Sequence, residues 1–186
     1  MINKNKQIFS ISPLIRLSLL SLYGSLTIPL PFLSDFSHSK IPSYILWIAV
    51  IVGLIILWSI LSEKVVLDSQ GISVVYPQYI PKEIRSGWSL NWEEIKNLKM
   101  RTTGQGGQVY YFVTHQEDRA YLLPMRVAGF SHLVQHVTQK THIDTQDVRP
   151  LAQPWMYFAL FGLSLMLWLV DIWVLYTSLG QNNHIE

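Results

Sequence analysis

Tyr44 to Leu61 carries neither a charged residue nor a proline, and no feature constrains the fold of this chain more. As a helix, a run of that length crosses the roughly 30 Å of hydrocarbon in a bilayer. Trp47 and Trp58 fall near its ends, where amphipathic rings favour the headgroup region. A second uncharged stretch, Leu17 to Ser34, predicts an earlier span that begins as far back as Ile8, with Arg16 snorkelling to the headgroups. Pro29 and Pro31 predict that this helix ends near Ile28. Asp35 to Ser43, with Lys40 and Pro42, reads as a short polar turn, so the two spans form a helical hairpin. Trp155 to Leu179 reads as a third span after the extended linker Arg149 to Pro154, and Gly180 to Glu186 as a polar tail. A secretory signal peptide is the rival for the first run, because a basic start precedes it, but no small-x-small cleavage site follows.

Composition points the same way. Apolar residues make up 49% of the 186 and charged residues only 14%, a balance that argues against a soluble globule. The 7 Trp, 9 Tyr and 7 Phe suit interface belts, and the absence of Cys removes disulfides, thiolate metal sites and cysteine nucleophiles. A formal net charge of +2 is too small to suggest a nucleic-acid partner, and no basic run or helix resembles a reading element, so none is expected.

Between the apolar runs lies a long polar segment that reads as a small β domain. Val65–Leu67 and Ile72–Tyr76 form two strands about a turn in which Gly71 is expected to supply a positive φ. Arg85 to Trp92 is extended, with Trp88, Leu90 and Trp92 on one face. Lys96 to Arg101 alternates, with Leu98 and Met100 facing one way and Asn97, Lys99 and Arg101 the other. Val109–Thr114 and Ala120–Leu123 flank a polar turn and make a hairpin. The period then becomes helical. Phe130, Leu133, Val134 and Val137 share one face, and His132, Gln135, His136, Gln139 and Lys140 the other, with Gly129 and Ser131 as start signals. The expected division is 1–62 for tail and hairpin, 63–148 for the β domain, and 149–186 for linker and third span.

Short antiparallel strands closed by one helix follow the order of a pleckstrin-homology (PH)-like barrel. Asn91-Trp92-Glu93-Glu94-Ile95-Lys96-Asn97-Leu98 resembles the W-x-x-I turn of bacterial PH-like domains, and Tyr121-Leu122-Leu123-Pro124 with Phe130 and Leu133 resembles their last strand and helix. The implied fold class is an integral membrane α + β protein, with three transmembrane helices and an inserted PH-like β-barrel capped by a helix. The plan is similar to small assembly and accessory factors of bacterial and chloroplast membranes. One such family assists photosystem I assembly but lacks a third span, so this chain departs from it.

Basic residues set the expected orientation. Lys4, Lys6 and Arg16 precede or open the first span, Lys40 alone lies in the turn, and none follows the third span. The positive-inside rule then puts the N-terminus and β domain in the cytosol and the C-terminus outside or in the lumen, in a plasma or thylakoid membrane.

Five residues are candidates for contact with a partner or a lipid. Lys99 and Arg101, with Lys82, Arg85 and Lys96 nearby, could meet an anionic lipid surface or a phosphorylated headgroup, although Glu83, Glu93 and Glu94 dilute the field. Tyr110 and Phe112 belong to a strand apolar on both faces, one a core face and the other available for docking. Asp171 is the acidic residue of the third span, with Lys40 as its possible partner. His132 and His136 have chelating spacing, with His142 and His115 as possible additions, yet they also read as solvated histidines on an exposed face. No catalytic constellation, cofactor or metal is implied. The expected function is therefore a non-enzymatic accessory or assembly module of a membrane protein complex. The alternatives are transport or proton handling through Asp171 and lipid-headgroup sensing through Lys99 and Arg101.

Overall fold

Ile8 and Phe9 lie in a strand, β1 (Gln7–Ser10), which pairs antiparallel with β2 (Lys64–Leu67) in the register Ile8↔Val66. The sequence reading assigned these residues to the start of the first span. Pro13 opens the helix instead, at the first position where a missing N–H costs nothing. The computed structural model describes residues 6–36, 41–78, 80, 86–104, 107–116, 119–145, 147–148 and 154–182. It has two compact units, one of Met1–Pro13 with Leu61–Gln153 and one of Leu14–Ile60 with Pro154–Glu186. The N-terminal segment thus belongs with the β domain rather than with the hairpin.

In the β unit, β1, β2, β3 (Gly71–Val75) and β4 (Trp88–Asn91) form one antiparallel sheet in that order. A second antiparallel sheet contains β5 (Ile95–Thr102), β6 (Gln108–Thr114) and β7 (Ala120–Leu122). A 3-10 turn at Trp92–Glu94 carries the chain from one sheet to the other. The closed barrel implied by the resemblance does not form, because β4 and β5 part at this corner. The corner is tied to each sheet separately, by Trp92 N–H to the Gln70 carbonyl (3.0 Å) and His115 N–H to the Glu94 carbonyl (3.1 Å). Elsewhere the segment after β7 runs beside β1. Ile11 bridges Val127, Ser12 N–H donates to the Arg126 carbonyl (3.0 Å) and Ala128 N–H to the Ser10 carbonyl (2.8 Å).

The core lies between the sheets and under helix α4 (Phe130–Thr141), which contributes Phe130, Leu133 and Val137. Leu133 is 0% exposed, so the helical period finds its buried face as the sequence predicts, and on β6 the covered face is that of Phe112, also 0% exposed. Trp88 joins the sheets, its ring 6.2 Å from Phe112 and 5.4 Å from Tyr121. Gly71 has no positive φ. A Cβ there would collide with the Leu90 carbonyl, and the turn before it is held by Asp68 Oδ1, which accepts from Gln70 and Gly71 N–H at 2.9 Å each. The left-handed glycine is Gly129, with φ 74° at the start of α4.

Three stretches in the second unit are long and apolar enough to cross a membrane: Pro13–Ser34, Ser43–Ile60 and Pro154–Thr177. The first comprises α1 (Pro13–Thr27) and α2 (Pro29–Phe36), so the chain breaks at Ile28 as expected but then resumes a helix with Pro29 in its first turn. Helix α3 (Ser43–Ile60) has no buried residue and is apolar all round, the pattern of a lipid-facing span. Tyr23 Oη donates to the Val50 carbonyl (2.8 Å) above Gly53, where any side chain would strike the phenol. Ser34 Oγ donates to the Ile41 carbonyl (2.9 Å).

Helix α5 (Pro154–Asn182) packs on α1 through small polar residues. Ser18 Oγ donates within reach of the Tyr157 carbonyl (2.9 Å), Ser21 Oγ meets Ser164 Oγ (2.8 Å), and Gly24 lies against the Trp168 ring. Small residues admit this close approach, and hydroxyls hydrogen-bond across it where no water competes. The partner numbers rise together along both helices, so α1 and α5 are parallel.

Candidate partner-binding surfaces

Lys99 and Arg101 are exposed, as is Lys96, on strand β5 at the edge of the second sheet. Alternation aims Asn97, Lys99 and Arg101 to one side, while Leu98 packs on the core from the other and Met100, 51% exposed, lies beside it. A register shift between Ile95 and Asn97 places Lys96 in a bulge. Lys82 and Arg85, which the sequence grouped with this strand, lie outside the described residues.

Tyr110 and Phe112 are core residues, 5% and 0% exposed, and this corrects their assignment as docking candidates. Tyr110 Oη donates to the Asp147 carbonyl at 2.7 Å, pinning the segment after α4 over the second sheet. Tyr111 and Val113 occupy the other, half-buried face.

The histidines divide. His132 is exposed, whereas His136 is half-buried with its ring 5.9 Å from that of Trp92. Burial, and secondly the Lys140 charge, hold His136 below the ordinary imidazole range. His142 ends α4 in the left-handed region, φ 57°. Among the described residues these side chains do not gather into a group that could hold a metal. The sequence put His136 on the solvent face because helical period separates faces coarsely, and the corner at Trp92, remote in sequence, covers it.

In the second unit, Arg16 lies over the Trp58 ring, 5.6 Å from its centroid, a cation–π contact that period alone does not reveal. Asp171 is half-buried on α5, and its Oδ2 is enclosed with no hydrogen-bond partner among the described residues. Its expected partner Lys40 lies outside the described residues. The Ser18, Ser21 and Ser164 seam went unread, since isolated serines in an apolar run resemble filler. Their spacing on one face of α1 was the available signal.

The chain is similar to a cyanobacterial protein, "Uncharacterized protein slr0269" of Synechocystis sp. (strain ATCC 27184 / PCC 6803 / Kazusa). The two are 50% identical over 169 residues, which cover 90% of this chain and 85% of the relative. No family model matches. No solved structure matches.

Proposed function

The chain belongs to the family of that Synechocystis protein, and from this premise we propose a non-enzymatic role: a membrane-anchored PH-like module that serves as an assembly or accessory factor of a membrane protein complex. The observation that carries the reading is the insertion of a helical hairpin between β1 and β2 of a seven-strand, one-helix domain. A domain whose first two strands flank the hairpin in sequence is joined to it through both β1 and β2, which supports a membrane-anchored module. The four- and three-strand sheets with a helix across them support the PH-like reading, although fold by itself fixes no function. The basic-residue asymmetry supports a cytosolic β domain, and the cyanobacterial relative is compatible with a thylakoid or plasma membrane.

The test is recovery of the tagged full chain from membranes in mild detergent. Stoichiometric capture of one membrane complex is expected, and a lone homo-oligomer would overturn the reading.

The enclosed Oδ2 of Asp171 favours a second reading, proton handling within the spans. Asp171→Asn separates the two. Under the accessory reading it assembles and functions as the native chain does, whereas under proton handling it is as damaging as Asp171→Leu.

A further inference from the structure

Strand β5 has one open edge. Its β6 side is paired from Ile95↔Thr114 to Thr102↔Gln108, apart from the bulge at Lys96. Among the described residues no strand pairs with the other side. Two bonds identify which amides face outward. Thr103 N–H donates to the Gly107 carbonyl across the hairpin, and this parity directs Asn97, Lys99 and Arg101 at β6. Leu98 N–H, of opposite parity, donates to the Asn97 side chain at 2.7 Å. The main-chain groups of Met100 and Thr102 therefore point away from the sheet with that of Leu98.

The side chains along this edge differ between faces. Leu98 and Met100 flank a groove of about 470 Å³ that Tyr110, Asp144 and Asp147 also line. Lys99 and Arg101 stand on the opposite face, exposed. An incoming strand would thus meet apolar side chains with a carboxylate rim on the groove face and cations on the other. Acidic residues are repelled by Asp144 and Asp147 but attracted by Lys99 and Arg101, and apolar residues are favoured against Leu98 and Met100.

We propose that the β5 edge binds an extended segment of a partner protein in which acidic and apolar residues alternate, added antiparallel as a further strand of the second sheet. Main-chain bonds to Met100 and Thr102 supply affinity, and the two faces supply register and sign. Asn97 blunts the edge in the meantime by occupying the Leu98 amide, and the lysines discourage pairing between copies. This inference rests on the accessory-factor reading and names the chemistry of the partner segment.

The test uses the full chain in nanodiscs, with capped Glu–Leu alternating peptides as long as β5 and matched Lys–Leu and blocked-sequence controls. The alternating acidic peptide should bind, more weakly as salt rises, and should slow amide exchange at Met100 and Thr102. Met100→Pro removes an outward donor while sparing the β6 ladder and should weaken binding by about tenfold. The pair Lys99→Glu with Arg101→Glu should reverse the preference to the Lys–Leu peptide, which tests the idea even if Met100→Pro misfolds. Equal binding of all three peptides, no binding at millimolar peptide, or exchange protection that rises with protein concentration alone would each overturn the proposal. The same variants in the detergent pull-down keep the two readings apart. If they recover the complex undiminished, the β5 site fails and the accessory reading stands. If the native chain recovers none, the accessory reading fails.

Discussion

The His136 ring lies 5.9 Å from the Trp92 ring, tilted by 52°, and this contact joins α4 to the corner between the two sheets. Because burial disfavours the imidazolium, His136 titrates below its ordinary value of 6.5 in the folded chain. A lowered folded pKa means that the unfolded chain takes up the proton first as pH falls. The stability is therefore fully present above the unfolded value and is lost as pH falls through the folded one. Melting temperature should decline from about pH 7 to about pH 5, and His136→Gln should flatten that decline. An equal slope in the variant would mean that other groups set it.

Trp92 is 8% exposed, and its indole Nε1–H donates to the Asp68 carbonyl at 3.1 Å. Trp92→Ala should cost ~3–5 kcal/mol, the range of large-to-small core changes. Trp92→Phe keeps most of the ring but leaves that carbonyl without its indole donor, at about 1 kcal/mol. Chemical denaturation of the full chain in detergent checks both, and a Trp92→Ala variant as stable as the native chain would assign the residue to the surface.

Strand β1 leads to a prediction about fragments. It covers β2 on one side and meets residues 126–128 on the other, so a domain begun at residue 63 leaves both main-chain edges bare. Residues 63–148 alone should show no cooperative melt, whereas residues 6–12 joined ahead of them by a flexible linker should restore one. Identical melting of the two fragments would make the strand dispensable.

The seam between α1 and α5 is testable because the chain has no cysteine of its own. Ser21 Oγ and Ser164 Oγ are 2.8 Å apart, so a Ser21→Cys, Ser164→Cys pair should form a disulfide under mild oxidation in membranes. Gly24→Leu should suppress that cross-link by pushing Trp168 away. Ser21→Ala should weaken packing by about 0.6 kcal/mol, the average for polar contacts between spans. A cross-link that survives Gly24→Leu unchanged would contradict the close approach.

What was legible in the sequence is what local period encodes. The uncharged run at Tyr44 and the alternation through Leu98 and Met100 are found as α3 and β5, and the helical repeat of Phe130, Leu133 and Val137 carries its burial in short-range pattern. What was missed is non-local. Gln7–Ser10 is a strand because β2, across the whole hairpin, offers it an edge, and four residues beside an apolar run show no period of their own. His136 is half-buried because Trp92 arrives from another element. The Gly71 turn signal was sound in residue type but differed in cause: the Leu90 carbonyl, not a positive φ, excludes a side chain there. On the candidate surface, the sequence identified the β5 cations but could not say which of its amides faced outward.

The pairing of Ile8 with Val66 also acts as a check on biogenesis. Everything between these residues that enters the bilayer must come back out on the side it entered from, since the two strands are hydrogen-bonded neighbours. A nascent chain that inserted one helix of the hairpin and missed the other would strand β1 and β2 across the membrane from each other. Its sheet could then never be completed, and the bare edges would mark it for proteolysis. Completion of this sheet is thus compatible only with a chain in which β1 and β2 stay on one side, as when both helices of the hairpin insert or neither does.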